Sequence, residues 1–532
     1  MSHSTLNELQ AYNQSQSSLH LQADHLIAFA QQASVKGSLY QADLISQELK
    51  LSYDIVVVGS GAGGSTIACL LAQAGKNVLL VEEGKAYRSA EYSANFSGMT
   101  SEIMRNAGAT IITGRSPIAY VEGKVVGGST VLNGGMCWRT PDEVLHHWSQ
   151  DRGLKHLAPD QMQSAFDTVE HVIDARYQDE GSEGHNNYVF KKGVDQLNWK
   201  IQKNKRNQQH CVGSNDCVTG CPTSAKRSAA LTWVPRFLQA GGDLITSVQV
   251  KKVLVKEGKA VGVSAVILDP VKPRKIRIEA KKVILACGAV QTPLLIQRSK
   301  ITKNKHVGQH FTIHPNVKVA ALFDQKIESM KGVHQAWQCT EFQQDGILLA
   351  PGGVPLSVIS QMTPLLGPSL TEQMKLAPYV ATGGLLVDDS ITGYVKARWA
   401  GWNQIHYDIS DYDQSKFIQG VQYMAQLYFA AGARKVYTPF INFPTIDHPN
   451  QIASLNTWLP KVEDTEYFTA HLMGTCRMSS NANEGVVDAQ GKCWDVEGLY
   501  IADASIMPGT IGVNPQVTIM ALALKVAEGL MG

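Results

Sequence analysis

An α/β fold, with a parallel-sheet domain assembled from separated pieces and an inserted domain built on an antiparallel sheet with helices, is predicted by three features of the 532-residue sequence. The first is the run YDIVVVGSGAGGSTIACLLAQAGKNVLLVEEG at 53–84, where two short apolar strands flank a glycine turn and a small-residue helix, the pattern of a β–α–β unit buried on both faces. The second is a return to that style at the C-terminus, in GLYIADAS and PQVTIMALALKVAEGL. The third is the alternating text between them, for example ITGYVKARWAGWNQIHYDIS, which has the period of half-solvated antiparallel strands.

Bulk properties bound the rest. Apolar residues at 44% and charged residues at 18% exclude a mainly disordered chain, and a formal charge of +2 excludes a dedicated nucleic-acid binder. The basic run VKPRKIRIEAKK (271–282) reads as the solvated face of a hairpin. The polar start MSHSTLNELQ has no apolar core of a signal peptide, and no apolar run reaches the about 18 residues of a membrane-spanning helix. A cytoplasmic location follows as the expectation, with peripheral membrane attachment left open, and disulfides are disfavoured there.

In chain order, residues 1–49 read as a helical extension, from the spaced apolar positions of ADHLIAFAQQ and QADLISQELK. After the β–α–β unit, 145–200 is polar and helical. HCVGSNDCVTGCPTSAK (210–226) follows, with three of the nine cysteines. A helix (LTWVPRFLQAGG), a strand meander and a buried strand (KKVILACGA) precede the alternating region, which ends on a long helix, SKFIQGVQYMAQLYFAAGA.

Gly59, Gly61 and Gly64 form G-x-G-x-x-G between a strand and a helix, and Glu82 closes the next strand 23 residues after Gly59. This is the Rossmann-like pattern. The first glycine permits the tight turn, the second lets the backbone approach a pyrophosphate, the third lets helix and strand pack, and the acid accepts from an adenosine ribose. Glu82 is favoured over its neighbour Glu83. The pattern does not separate NAD from FAD.

Three further stretches carry a family resemblance. GKVVGGSTVLNGG (123–135), GAVQTPLLIQRS (288–299) and HLMGTCRM (471–478) with the segment 486–523 resemble, in order, the two signatures and the C-terminal block of the glucose–methanol–choline (GMC) family of FAD-dependent oxidoreductases. Cys137, Lys300 and Thr302 depart from the usual signature residues, and GCP-x-x-AK-x-S at 220–228 resembles the branch of bacterial and plant long-chain alcohol oxidases.

The resemblance implies non-covalent FAD held by segments 50–145, 205–320 and 465–532, and a substrate domain from 146–204 and 321–464. It places Gly127, Gly128, Ser129 and Asn133 beside the flavin, the Val250 backbone at the adenine, and Asp503 and Pro515 near the cofactor, although Asp503 reads nearly as well as a cap for the following turn. It matches His471 to the family's catalytic base and Asn514, in GVNPQ, to its partner. An imidazole titrates near working pH and can take a hydroxyl proton, while an uncharged amide can hold the substrate oxygen. His314, followed by Pro315, is assigned no role.

The implied reaction is oxidation of an alcohol to an aldehyde or ketone. GILLAPGGVPLSVISQMTPLLG (346–367) leans toward a hydrophobic substrate if it lines a pocket, and core packing explains the same letters. The electron acceptor, whether oxygen, a quinone or a cytochrome, is left open. Cys211, Cys217 and Cys221 resemble the loop of bacterial FAD-dependent glucose dehydrogenases that carries an iron–sulfur cluster, and a compact packed loop is the alternative. Two other functions stay in view: a flavin- and cluster-bearing electron-transfer subunit, and a lyase or decarboxylase on the same fold.

Overall fold

The computed structural model describes residues 39–41, 50–269, 271–360, 364–398 and 403–531. An eight-stranded sheet runs in the order Leu39–Gln41, Asp243–Thr246, Val78–Val81, Lys50–Val58, Arg274–Leu285, Lys259–Ile267, Val248–Lys256, with Leu499–Ile501 also on Arg274–Leu285. Its core is parallel. Strand Lys50–Val58 pairs with Val78–Val81 on one side and with residues 277–285 of Arg274–Leu285 on the other. Helix Ala62–Gln73 packs against helices Trp233–Gln239 and Gln516–Met531. Val56 and Val57 are therefore fully buried, and each such side chain contributes about 1.5–3 kcal/mol by leaving water.

Strand Arg274–Leu285 joins two environments. Its first half pairs antiparallel with Lys259–Ile267, and there Lys275, Arg277 and Glu279 point to solvent while Ile276 and Ile278 are buried. The basic run is thus a solvated hairpin face. Its second half is buried in the parallel core.

The segment 1–49, expected to be helical, differs where it is described: Leu39–Gln41 is a strand paired parallel to Asp243–Thr246. An open sheet edge offers a row of backbone partners that outweighs a weak local helix preference. The rest of that expectation lies outside the described residues.

A second, ten-stranded sheet runs Thr110–Ile112, Ile118–Tyr120, Tyr467–Thr469, Asn316–Leu322, Val380–Val387, Ile347–Pro351, Trp337–Cys339, Ile201–Lys203, with Lys435–Tyr437 and Thr445–Ile446 branching from Asn316–Leu322. It is antiparallel except where Tyr467–Thr469 meets Ile118–Tyr120. The strands at 110–120, 316–322 and 467–469 thus join this sheet although their sequence neighbours belong to the nucleotide segments. Short strands carry no signal of which sheet will pair them. Ile347–Pro351 is an interior strand with Ile347 and Leu349 buried, so the first part of the stretch read as a pocket wall is sheet core. Tyr394–Lys396 and Gln404–His406 form a separate ribbon.

Helix Asp411–Ala431 covers this sheet. Ser410 caps its start by accepting from the Asp413 N–H at 2.9 Å, and Gly432, at φ 103°, ends it. A Cβ on Gly420 would lie 2.6 Å from Leu385, so glycine sets how closely the helix approaches. Each sheet has its own apolar core, and Leu472 packs against both.

Candidate active site

The glycine turn is built for close approach. Gly59 sits at φ +100°, and a Cβ there would lie 2.4 Å from the Ala286 carbonyl oxygen. A Cβ on Gly64 would lie 1.8 Å from the Gly59 oxygen, so this glycine serves packing within the turn. Gly61 is different. A Cβ there would meet only the Gly128 Cα, at 4.0 Å, so it borders open space at the start of helix Ala62–Gln73, which has no side-chain cap and no acid in its first turn. Unpaired N–H groups beside an open glycine suit a pyrophosphate.

Glu82 is buried. Its Oε2 accepts from the Ser60 N–H (2.9 Å) and hydroxyl (2.7 Å), and its Oε1 from the Gly84 N–H (2.8 Å). Burial pushes its carboxyl up against these donors. A carboxylate accepts at about four positions, so one remains for a ribose hydroxyl. Glu83 is committed to Arg105 (3.0 Å) and Gln249 (3.0 Å). The Val248 N–H donates to the Glu82 carbonyl at 2.9 Å, which brings Val250, two residues further along that strand, toward the same end of the turn.

The first signature closes over this turn. The Gly127 N–H donates to the Ser60 hydroxyl (3.1 Å), and Gly128, at φ +54°, abuts Gly61. Ser129 accepts from the Gly123 N–H (3.0 Å), and the Asn133 amide donates to Gln516 at the start of the last helix. Pro515 supplies the carbonyl that accepts from the Ile519 N–H (2.9 Å) in that helix. Asp503 is a buried cap: it accepts from the Ser505 N–H (2.8 Å), the Gly288 N–H (2.9 Å) and the Thr292 hydroxyl (2.5 Å), tying the second signature to the C-terminal block. These bonds are those of a structural brace.

Strand register assembles the histidines. Thr312–Ile313 pairs antiparallel with Leu472–Met473, with Ile313 opposite Leu472. The next position outward therefore sets His314 opposite His471, and their Nδ1 atoms lie 3.0 Å apart. The Asn514 amide Nδ2 is 3.1 Å from His471 Nε2. His471 and Asn514 keep a partly exposed side, whereas His314 is fully buried. Burial, with the neighbouring His314, holds His471 well below the usual imidazole range, and burial alone takes His314 to about 3. Burial thus favours the neutral form of both rings.

Sequence reasoning assigned His314 no role. Only the register places it behind His471. Beyond it, His314 Nε2 lies 3.0 Å from the Thr510 hydroxyl, the Gly512 N–H points at the same nitrogen from 3.1 Å, and Thr510 donates to Asp388 (2.6 Å).

The cysteine loop is occupied by its own contacts. Cys217 is buried and accepts from Arg206 Nη2 (3.3 Å), Cys221 faces the Thr223 hydroxyl (3.3 Å), and the Cys211 N–H donates to Asp179 (2.7 Å). Burial opposes ionisation of Cys217, but Arg206 and Lys226 outweigh it and hold the thiol below its ordinary range. Among the described residues, the group of His, Cys, Asp and Glu whose ligand atoms lie within 4.8 Å of one another is His314, Asp388 and Asp389, so the three thiols do not converge on a single-ion site. No described helix is long and apolar enough to cross a membrane.

Comparison with known proteins matches residues 96–316 and 400–523 to the N- and C-terminal regions described as GMC oxidoreductase. A GMC-type oxidoreductase of Mycobacterium tuberculosis is 33% identical over 89% of this chain and 75% of its own length. The chain belongs to the GMC oxidoreductase family. Another GMC-type relative, from Sinorhizobium fredii, is 31% identical over 92% of this chain and 96% of its own. The long-chain-alcohol oxidase FAO1 of Arabidopsis thaliana is 27% identical over 93% and 68%. Among solved structures, a pyridoxine 4-oxidase superposes with TM-score 0.70 at 16% identity, covering 90% of this chain and 99% of that one. A formate oxidase of Aspergillus oryzae does so at 0.67 and 15%, covering 90% and 98%. At these identities the structures establish the fold alone, an α/β architecture with a Rossmann-like half. The family makes this chain an oxidoreductase.

Proposed function

We propose that this GMC protein binds FAD non-covalently and oxidises a hydrophobic alcohol to an aldehyde or ketone. The observation that carries the reading is the convergence of His471 Nε2 and the Asn514 amide, 3.1 Å apart with a partly exposed side. When bound, FAD supplies the hydride acceptor. The protein's part is proton handling and positioning. The Asn514 amide N–H donates to His471 Nε2, so that nitrogen bears a lone pair. An alcohol hydroxyl entering between them gives its proton to His471 Nε2, and the Asn514 N–H turns to the oxygen as negative charge grows there.

Gly59, Gly61, Gly64, Glu82, Gly127, Gly128, Ser129, Asn133 and Val250 shape the cofactor cradle, and Asp503 and Pro515 brace it. The likeness to long-chain-alcohol oxidases supports an apolar substrate. The cysteine loop is read as packing behind the 123–135 signature, because Lys226 ties it there by donating to the Val131 (2.6 Å) and Asn133 (2.9 Å) carbonyls and to that of Cys217.

The test is anaerobic bleaching of the yellow protein by a panel of alcohols from ethanol through 1-dodecanol to benzyl alcohol and glucose. His471→Ala is expected to keep its flavin and to lose roughly 10²–10⁴ in bleaching rate, the usual contribution of a general base. Unimpaired bleaching would remove His471 from the mechanism. Bleaching by no alcohol would overturn the assignment, and iron or acid-labile sulfide in the purified protein would overturn the reading of the cysteine loop.

A further inference from the structure

A neutral imidazole carries one N–H, so each hydrogen bond around His471 and His314 constrains the others. Thr510 has a single hydroxyl proton, and its short contact is to Asp388, at 2.6 Å. With that proton given to Asp388, the Thr510 oxygen can only accept from His314 Nε2, 3.0 Å away. His314 Nδ1 is then bare and accepts the Nδ1–H of His471 across 3.0 Å. His471 Nε2 is left with its lone pair, facing the Asn514 N–H. This is the base-ready setting, and it is transmitted to His471 from Asp388 through two intermediate groups.

One contact favours the opposite setting. The Gly512 N–H points at His314 Nε2 from 3.1 Å, which suits a lone pair on that nitrogen and hence a proton on His314 Nδ1. The buried His314 thus has a partner for each tautomer.

We propose that His471, His314, Thr510 and Asp388 form a proton wire that carries the substrate hydroxyl proton to the Asp388 carboxylate. The inference rests on His471 being the base. Each link gains one proton and passes one on: the alcohol O–H to His471 Nε2, His471 Nδ1–H to His314 Nδ1, His314 Nε2–H to Thr510, and the Thr510 O–H to Asp388. With FAD bound as the hydride acceptor, the alcohol would become the carbonyl product and the Asp388 carboxylate would become a carboxyl. The two rings end neutral in the tautomers that the Gly512 N–H favours, and His471 need not hold a buried positive charge.

The far end of the wire suits a proton acceptor. Asp388 is half-buried, so it can release its proton to water. Burial raises its carboxyl, with Lys416 the cation that opposes this. The adjacent Asp389 is buried, accepts from the Ile313 N–H (2.9 Å) and the Tyr407 hydroxyl (3.2 Å), and is pushed up to about 8 by burial and by Asp388. His314, Asp388 and Asp389 stand close enough to surround an ion, but His314 Nε2 is already within hydrogen-bond distance of both the Thr510 hydroxyl and the Gly512 N–H.

Thr510→Val, Thr510→Ser and Asp388→Asn test the wire. Flavin reduction is followed by anaerobic rapid mixing with the fastest alcohol of the panel and its C1-deuterated form, in H₂O and D₂O. Thr510→Val and Asp388→Asn are expected to slow reduction about tenfold or more with a larger solvent isotope effect, and Thr510→Ser to restore both. A second readout needs no turnover: ¹⁵N-histidine NMR should show His471 protonated on Nδ1 in the wild type and on Nε2 in Thr510→Val, where only the Gly512 N–H still addresses His314 Nε2. Wild-type tautomers and solvent isotope effects in Thr510→Val overturn the wire while leaving the base assignment intact. Undiminished bleaching in His471→Ala overturns both. Should Thr510→Val not fold, Asp388→Asn carries the same kinetic comparison, and an unchanged solvent isotope effect there is fatal. A stoichiometric divalent metal in the purified protein would also refute the wire.

Discussion

Two glycines of the same motif should fail in opposite ways. In Gly64→Ala the new methyl would sit 1.8 Å from the Gly59 carbonyl oxygen and 2.9 Å from the Ala286 Cβ. The obstacle is backbone in a buried turn, so helix and strand must separate, and the cost is on the order of the 1–3 kcal/mol or more of overpacking. In Gly61→Ala the nearest atom is the Gly128 Cα at 4.0 Å, and the backbone is at φ −68°. The fold therefore loses only about 1 kcal/mol from a poorer helix N-cap. On the proposed FAD placement, the methyl instead fills the space assigned to the pyrophosphate at the helix start. Displacing the anion from two or three N–H groups, each charge-assisted bond contributing about 1.5–3 kcal/mol, should weaken FAD binding at least a hundredfold. The assay is titration of apoprotein by flavin fluorescence quenching, with urea unfolding of the same samples. Gly61→Ala should unfold near the wild-type midpoint yet bind FAD poorly, and Gly64→Ala should be unstable even without FAD. Wild-type FAD affinity in Gly61→Ala would refute the placement of the pyrophosphate.

Further outcomes follow from buried charges. Asp389 holds its proton in the folded state up to about pH 8 against an ordinary value of 3.8, so the folded chain binds a proton that the unfolded chain releases between those values. Its contribution is complete below the lower value and fades as pH rises to the upper. Asp389→Asn should flatten the decline in urea stability between pH 5 and 8, and an unchanged slope would exclude Asp389 as its source. Lys226 is buried and donates to three carbonyls, and burial lowers it to about 8. Lys226→Met should cost about 3 kcal/mol or more by leaving those carbonyls unpaired, read as a lower urea midpoint together with weaker flavin retention. For His471→Ala the expected loss is confined to bleaching rate, with flavin spectrum and urea midpoint preserved.

The sequence by itself determined the nucleotide half, because its signals are local. A strand, three glycines, a helix and an acid within 53–84 specify one β–α–β unit, since each residue's task is set by neighbours within a turn or two. The 123–135 run, the HLMGTCRM segment and the pairing of His471 with Asn514 were legible only through the family resemblance that these motifs carry. The edge strand Leu39–Gln41, the recruitment of 110–120 and 467–469 into the second sheet, and the burial of Ile347–Pro351 were decided by tertiary pairing, because short strands take their identity from whichever edge satisfies their backbone. The wire behind His471 belongs to that second class. His314, Asp388 and Thr510 are separated by 74 and 122 residues along the chain, and nothing local marks them. An antiparallel register with Ile313 opposite Leu472 sets one histidine behind another, and the loop before the last helix brings a hydroxyl and a backbone N–H to the same ring nitrogen. Spacing in sequence cannot express such a meeting, because it depends on where three separate segments cross in space.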